Sequence, residues 1–497
     1  MRASNVQSAD VHLEARTRQN LSSRSWVSFV MNGAVILTLY FASGLCLLHA
    51  QDRYDSDEVL EATNLPRAIL GSRCCPGTSS RLLWTSLPIQ RYEGIAVAVD
   101  QQGNIYVAGR GRTAWLVASY DPQGNLRWQN TLTGSGGFVP PNALAVDNLG
   151  GVYVAGSVDG RPHMTKFDAR TGNIVWSWNG ASSGFSRGFL WDIALGNGLV
   201  TTSSGSSHFV VYATGAIGSI NAREALTVAF DSHTGALVSS HLNPEGSGEA
   251  IAVDASGKVW VAGRSGGRLA VLSYNSALTL LGTYLHPRTS GTHSSWAYDI
   301  AVDQRGRVYV AGYEFLGGHK SITIAFTNAG FPTPAWTQSY DGTGAWVIAV
   351  DSVAGNPGRD RVVVIGNVWD DRAGHERAAA VAYDATAGTQ LWVHHYPQRS
   401  AVWPGANTFP LRSLTIDHVG NVYVGAVAYS STGQSHLVYK LCGGTGALLW
   451  QWTGSPFGAM TVVGAVVLDA NGCVVSTGSE WSAGVPQMVV RKFRQFP

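Results

Sequence analysis

IAVAVDQQGNIYVAGR (95–110), ALAVDNLGGVYVAGS (143–157), AIAVDASGKVWVAGR (250–264) and DIAVDQRGRVYVAGY (299–313) are copies of one pattern. Each reads as a strand, a turn holding Asp and Gly, and a second strand rich in Val and Tyr. SLTIDHVGNVYVGAV (413–427) and AVVLDANGCVVSTGS (465–479) repeat it, and DIALGNGLVTTSS (192–204) and VIAVDSVAGNPGRDRVVVIGN (347–367) are looser copies. The turn residue falls at Asp100, Asp147, Gly196, Asp254, Asp303, Asp351, Asp417 and Asp469. Successive gaps are 47, 49, 58, 49, 48, 66 and 52 residues, close to the period of about 40–50 residues of a β-propeller blade. In such a turn Asp bonds the backbone and Gly takes the left-handed position. A calcium loop would need several more oxygen ligands than the turn offers.

Outward from each pair comes a third strand ending in an aromatic: Tyr120, Phe167, Phe230, Tyr274, Phe326, Tyr383, Tyr439 and Phe493. A fourth carries Trp128, Trp176, Trp336, Trp392 or Trp450. The eighth unit stops at RKFRQFP without a fourth strand, while RLLWTSL (81–87) resembles LLWQWTG (448–454) and sets Trp84 in the matching place. Pairing that segment with unit eight would cover an otherwise open sheet edge. The expected fold is therefore all-β: an eight-bladed β-propeller of four-stranded antiparallel blades, the last closed by an N-terminal strand. Seven blades are the alternative, because the third and sixth units are irregular. Residues 1–50 are expected to be a signal peptide or membrane anchor, 51–80 an irregular N-terminal extension, and 81–497 the propeller.

Lys and Arg total 34 against 32 Asp and Glu, a net charge of +2, which argues against a nucleic-acid partner. Residues 26–48 (WVSFVMNGAVILTLYFASGLCLL) lack any charge and would span a bilayer as a helix. Arg16, Arg18 and Arg24 precede them, and Asp52, Asp55, Asp57 and Glu58 follow. That bias predicts translocation of what comes after, so the body is expected to be exported (periplasmic, cell-surface or secreted), either after cleavage or tethered by an uncleaved helix. Cys74, Cys75, Cys442 and Cys473 allow three disulfide pairings, and spacing does not choose among them.

The string AVD-x-x-G-N/R-V/I-Y-V-A-G resembles the SBBP-type bacterial β-propeller repeat. FDARTGNIVW (167–176) and YDATAGTQLW (383–392) resemble the Trp-docking motif of PQQ-type quinoprotein propellers, a group that includes the outer-membrane assembly factor of that fold. The first likeness implies an exported protein of undefined activity. The second implies alcohol or sugar oxidation with PQQ and calcium, in which a vicinal disulfide would lie against the cofactor. Cys74-Cys75 is such a pair, but it precedes the first blade, and the Glu, Asn and Asp that would hold calcium cannot be assigned.

No G-x-S-x-G elbow and no H-E-x-x-H motif is present. His394 and His395 are neighbours on a strand and point to opposite faces. Asp370, Asp371 and Glu376 could supply acid/base chemistry or be a solvated loop. In a propeller, the loops joining fourth to first strands share a face with those joining second to third. That face collects Arg110, Arg187, Trp191, His286, Arg288, Trp296, Trp346, Arg399 and Trp403, with Arg112, His293 and His319, and the longer stretches 203–223 and 367–379. Aromatic and Arg residues are enriched at binding hot spots; the competing reading is that these Trp residues plug blade seams. The expectation is a monomeric, non-catalytic ligand- or protein-binding or scaffold module without cofactor, its partner an unknown protein or glycan. The alternatives are a PQQ- and calcium-dependent quinoprotein dehydrogenase and a carbohydrate-binding or lyase-like propeller.

Overall fold

The computed structural model describes four strands between residues 14 and 52, and residues 80–495 apart from 135–140, 202–206, 220–221, 289–293, 353–359, 371–373, 403–411 and 455–461. The chain forms two compact units, 1–71 and 72–497. In the first, Glu14–Gln19, Ser25–Met31, Val35–Ala42 and Leu45–Asp52 make an antiparallel four-stranded meander. The apolar segment 26–48 is thus strand where the sequence suggests a membrane-spanning helix. Asn32-Gly33 and Ser43-Gly44 lie between its strands, and Asn-Gly between apolar runs is a strong hairpin signal. No helix among the described residues is long and apolar enough to cross a membrane. Cys74 and Cys75, and most of the extension 51–80, lie outside the described residues.

The second unit is a ring of eight blades, each of four antiparallel strands. Blade I runs Glu93–Val99, Ile105–Arg110, Ala114–Tyr120, Leu126–Thr133, from the ring centre outward. Blades II to VI repeat this order and begin at Pro141, Gly188, Gly246, Ser294 and Gly344. Blade VII is irregular: its innermost position is shared by Ser400–Ala401 and Leu414–Ile416, which both pair with Val422–Ser430. The insertion between them accounts for the long gap before Asp417. The third strand of blade VII also runs on to Leu441, two residues beyond the expected Tyr439, with Cys442 in the turn position that Asp holds elsewhere. Cys442 is disulfide-bonded and Cys473 is a free thiol.

Blade VIII supplies Val462–Leu468, Val474–Ser482 and Val485–Gln495 itself, and Ser80–Thr85 completes it as the outermost strand, with Lys492 opposite Trp84. Innermost strands of successive blades touch all the way round, including blade VIII against blade I. Apolar seams between blades form the core. Fourth-strand indoles fasten these seams: Trp128 Nε1 donates to the Ala169 carbonyl (2.9 Å), Trp336 to Ala385 (3.1 Å) and Trp392 to Gly443 (2.8 Å), each in the third-to-fourth turn of the next blade. Trp84 does the same to Pro122 of blade I (3.1 Å), so a segment from before the first blade locks the last seam.

Candidate functional site

The two ends of each innermost strand differ in chemistry. At the end that leads into the Asp turn, Asp147 Oδ1 accepts from the Leu149 and Gly151 N–H groups (2.8 and 2.7 Å), and Oδ2 accepts from the Tyr153 hydroxyl (2.8 Å). Asp100 with Tyr106 and Asp417 with Tyr423 repeat the bond at 2.8 and 2.7 Å, and Asp254 takes the Trp260 indole at 3.1 Å. In these four blades the partner is six residues after the Asp, so Asp-x-x-Gly-x-x-Tyr/Trp is one hydrogen-bonded unit, whereas Asp351 and Asp469 pair instead with Arg361 and Lys492 (3.2 and 2.8 Å). Burial, with the Asp100 carboxylate adding to it, pushes the Tyr106 hydroxyl up to about 12. Such carboxylates are consumed by the fold.

At the other end, seven innermost strands carry a β-bulge that leaves Ile95, Asn142, Trp191, Glu249, Tyr298, Trp346 or Gly464 out of register. The position lies five residues before the turn residue, and in blade VII it is Arg412. Bulges re-aim side chains and gather next to functional sites. They also explain the Gly of V-Y-V-A-G. A Cβ at Gly312 would collide with the Trp296 carbonyl oxygen, because the bulged strand crowds its partner there.

Over blades III to VI these residues and their neighbours join into an aromatic and cationic cluster. Phe189 and Trp191 rings are 4.4 Å apart, with the Arg223 guanidinium 5.2 Å over Phe189. Tyr298 stacks on Trp296 (5.9 Å) and Tyr313 (5.7 Å), and its ring lies 4.4 Å from Trp346. Arg264 sits 3.9 Å over Trp296. Glu249 is buried among them and accepts from Ser247 Oγ (2.5 Å) and Trp296 Nε1 (3.1 Å). Burial pushes its carboxyl above the usual range, against the pull of both hydrogen bonds and of Arg264 and Arg223.

The sequence-derived residues fare unequally. Trp296 and Trp346 meet through Tyr298, and Trp191 belongs to the Phe189 side of the cluster. Arg187 is exposed just before blade III. Arg110 is ion-paired with Glu93 across its own blade. His286 is held between the Tyr284 hydroxyl (3.1 Å) and Glu314 (3.2 Å), and Arg288 donates to the Gly266 carbonyl. Arg399 lies 4.9 Å over Tyr429. Trp403 and His293 are outside the described residues. The stretches 203–223 and 367–379 are mostly long strands, Ser207–Ser219, Asp360–Asp370 and His375–Asp384, where loops are expected from the sequence. Phe189, Arg223, Glu249, Arg264, Tyr298 and Tyr313 were not anticipated. For Glu249 and Tyr298 the signal was present, as variation at one fixed place in a repeat that is otherwise regular.

The innermost strands of all eight blades line a central channel of about 710 Å3, mostly Val, Ala, Leu and Ile. Its charged lining is Asp192, Asp299 and Arg412. Arg412 of blade VII spans the channel to Asp192 of blade III, opposite it in a ring of eight, with Nη2 3.0 Å from Oδ1 and 3.3 Å from the Ile193 carbonyl. Asp299 accepts from the Ile300 and Ile348 N–H groups (2.8 and 2.9 Å). Its position deep in the ring removes water, and this desolvation, with the Asp192 charge adding to it, pushes its carboxyl up to about 7. No group of three or more His, Cys, Asp or Glu that could hold a metal occurs among the described residues.

Residues 77–281 match the family model described as outer membrane protein assembly factor BamB. The likeness lies on the PQQ-like side of the repeat. No curated protein matches the chain. Among solved structures, Saccharomyces cerevisiae Sqt1 is 10% identical, with a TM-score of 0.56, over 84% of this chain and 100% of that one. Chaetomium thermophilum Sqt1 bound to the N-terminus of the ribosomal protein L10 is 13% identical, with a TM-score of 0.53, over 80% and 96%. At these identities the likeness is one of fold.

Proposed function

We propose that this chain is an exported, monomeric, non-catalytic propeller that holds a partner protein on its bulge face, over blades III to VI. The cluster of Trp191, Trp296, Tyr298 and Trp346 with Arg223 and Arg264 carries the reading, because such residues dominate binding energy at interfaces. Binding of a protein segment by a propeller has a parallel in the C. thermophilum structure, which shares the fold. Export is supported by the charge bias around 26–48 and by the bonded Cys442, since disulfides persist in oxidising compartments. The quinoprotein alternative draws on the docking Trp residues, yet Trp84, Trp128, Trp336 and Trp392 are spent on blade seams.

The test is photo-crosslinking in the producing cell, with a photoreactive amino acid at Arg187 on the bulge face or at Leu149, an exposed turn residue on the opposite face. A discrete protein adduct from position 187 alone is expected. Equal labelling from both positions, or none from 187, would overturn the reading.

A further inference from the structure

Arg223, at the start of the third strand of blade III, and Arg264, near the end of the second strand of blade IV, are both half-buried. Neither guanidinium enters a hydrogen bond or ion pair among the described residues. The Arg264 guanidinium lies 3.9 Å over the Trp296 ring and that of Arg223 5.2 Å over Phe189, so both are held against aromatic faces with their N–H donors unspent among the described residues. The two feel each other's charge, and both feel Glu249. Arg forks match carboxylate geometry in bidentate fashion. Two half-buried cations within reach of each other's charge, with their donors unspent among the described residues, are arranged to receive an anion.

We propose that Arg223 and Arg264 form a carboxylate-binding pair that takes an acidic segment of the partner protein; this rests on the binding-face reading above. Two observations select an acidic peptide over other anions. Glu249 is pinned by Ser247 and Trp296, so it stays beside the arginines without neutralising either through a direct ion pair. The rings of Tyr298, Trp346 and Tyr313 continue from Trp296 and offer apolar contact to the residues that flank a carboxylate in a peptide.

The experiment uses the full chain and a fluorescein-labelled octaglutamate peptide, read by anisotropy at low ionic strength. The unaltered protein should bind it. Arg223→Gln and Arg264→Gln should each weaken binding about tenfold, the loss expected for a charge-assisted hydrogen bond, and the double variant should abolish it. Arg264→Lys, which keeps the charge and loses the fork, should fall between. Arg161→Gln removes the same charge from an exposed site on blade II and should change affinity less than twofold. Melting temperatures of all five variants check that the fold is intact. No octaglutamate binding, equal binding by every variant, or binding of trigalacturonate or inorganic phosphate in place of the peptide would overturn the proposal. An adduct at position 187 in cells together with octaglutamate failure would discard the acidic chemistry and leave the face standing.

Discussion

The turn face and the bulge face of this ring are made from opposite ends of the same strands, and they obey different rules. On the turn face the same bonds recur from blade to blade: Asp to its turn, Asp to the residue six places on, indole to the next blade's carbonyl. Most polar groups there have a designated partner, so the residues repeat. On the bulge face the backbone repeats and the side chains do not. Ile95, Asn142, Trp191, Glu249, Tyr298, Trp346 and Gly464 share one structural position and almost no chemistry, and Arg412 stands at the matching place in the sequence. The difference teaches that the bulge fixes where a side chain points and leaves its identity open to other demands.

The largest effect should come from the seam that joins the chain's two ends. Deleting residues 80–88 exposes the edge of Val485–Gln495 and undocks Trp84, so the protein should fail to fold or melt more than about 10 °C lower by circular dichroism. Trp84→Ala alone should cost about 2–3 kcal/mol, less than a fully buried Trp truncation, because Trp84 is only partly buried. Trp450 offers an internal contrast. Its indole nitrogen has no partner among the described residues, and the blade it faces takes its fourth strand, Ser80–Thr85, from ahead of the first blade, so no hairpin turn joins that strand to the third. Trp450→Phe should therefore cost less than Trp128→Phe, which would strand the Ala169 carbonyl.

Next in size is the turn itself. Asp147→Ala leaves two N–H groups and the buried Tyr153 hydroxyl without their acceptor, and about 2–3 kcal/mol should be lost in denaturant titration. The channel gives a smaller, pH-dependent effect. With its carboxyl at about 7, against about 3.9 unfolded, folded Asp299 keeps a proton through a window where the unfolded chain has released it. Its contribution to stability therefore falls as pH rises from about 4 to 7, then levels off. Asp299→Asn should remove that slope, seen as a flatter dependence of Tm on pH between 4 and 8. Smallest of all should be Arg223→Gln and Arg264→Gln, each within about 0.5 kcal/mol of the unaltered protein, since neither guanidinium is hydrogen-bonded in the fold.

The turn face was legible in the sequence because its rules are local. Asp, Gly and the residue at the sixth place lie within one hairpin, and eight repeats let one copy interpret another. Closure by Trp84 was legible for the same reason, through likeness to other fourth strands. The secondary structure of segment 26–48 was not legible, because an uncharged apolar run has no periodicity to separate helix from strand. The bulge-face cluster was legible only in part. Trp296 and Trp346 stood out by residue type, whereas Glu249 finds Trp296, and Arg223 finds Phe189, only once blades III, IV and V are packed. Arg110 and His286 looked available because Glu93 and Glu314 reach them through pairing and packing that spacing does not reveal.

The division between the two faces is tested most directly by measuring melting temperature and octaglutamate affinity on the same two proteins, Asp147→Ala and Arg264→Gln. The first should melt several degrees lower with affinity within twofold of the unaltered chain. The second should melt unchanged with affinity down about tenfold. If either variant lost stability and binding together, or if Arg264→Gln lowered only the melting temperature, the separation of folding from binding across the ring would be contradicted.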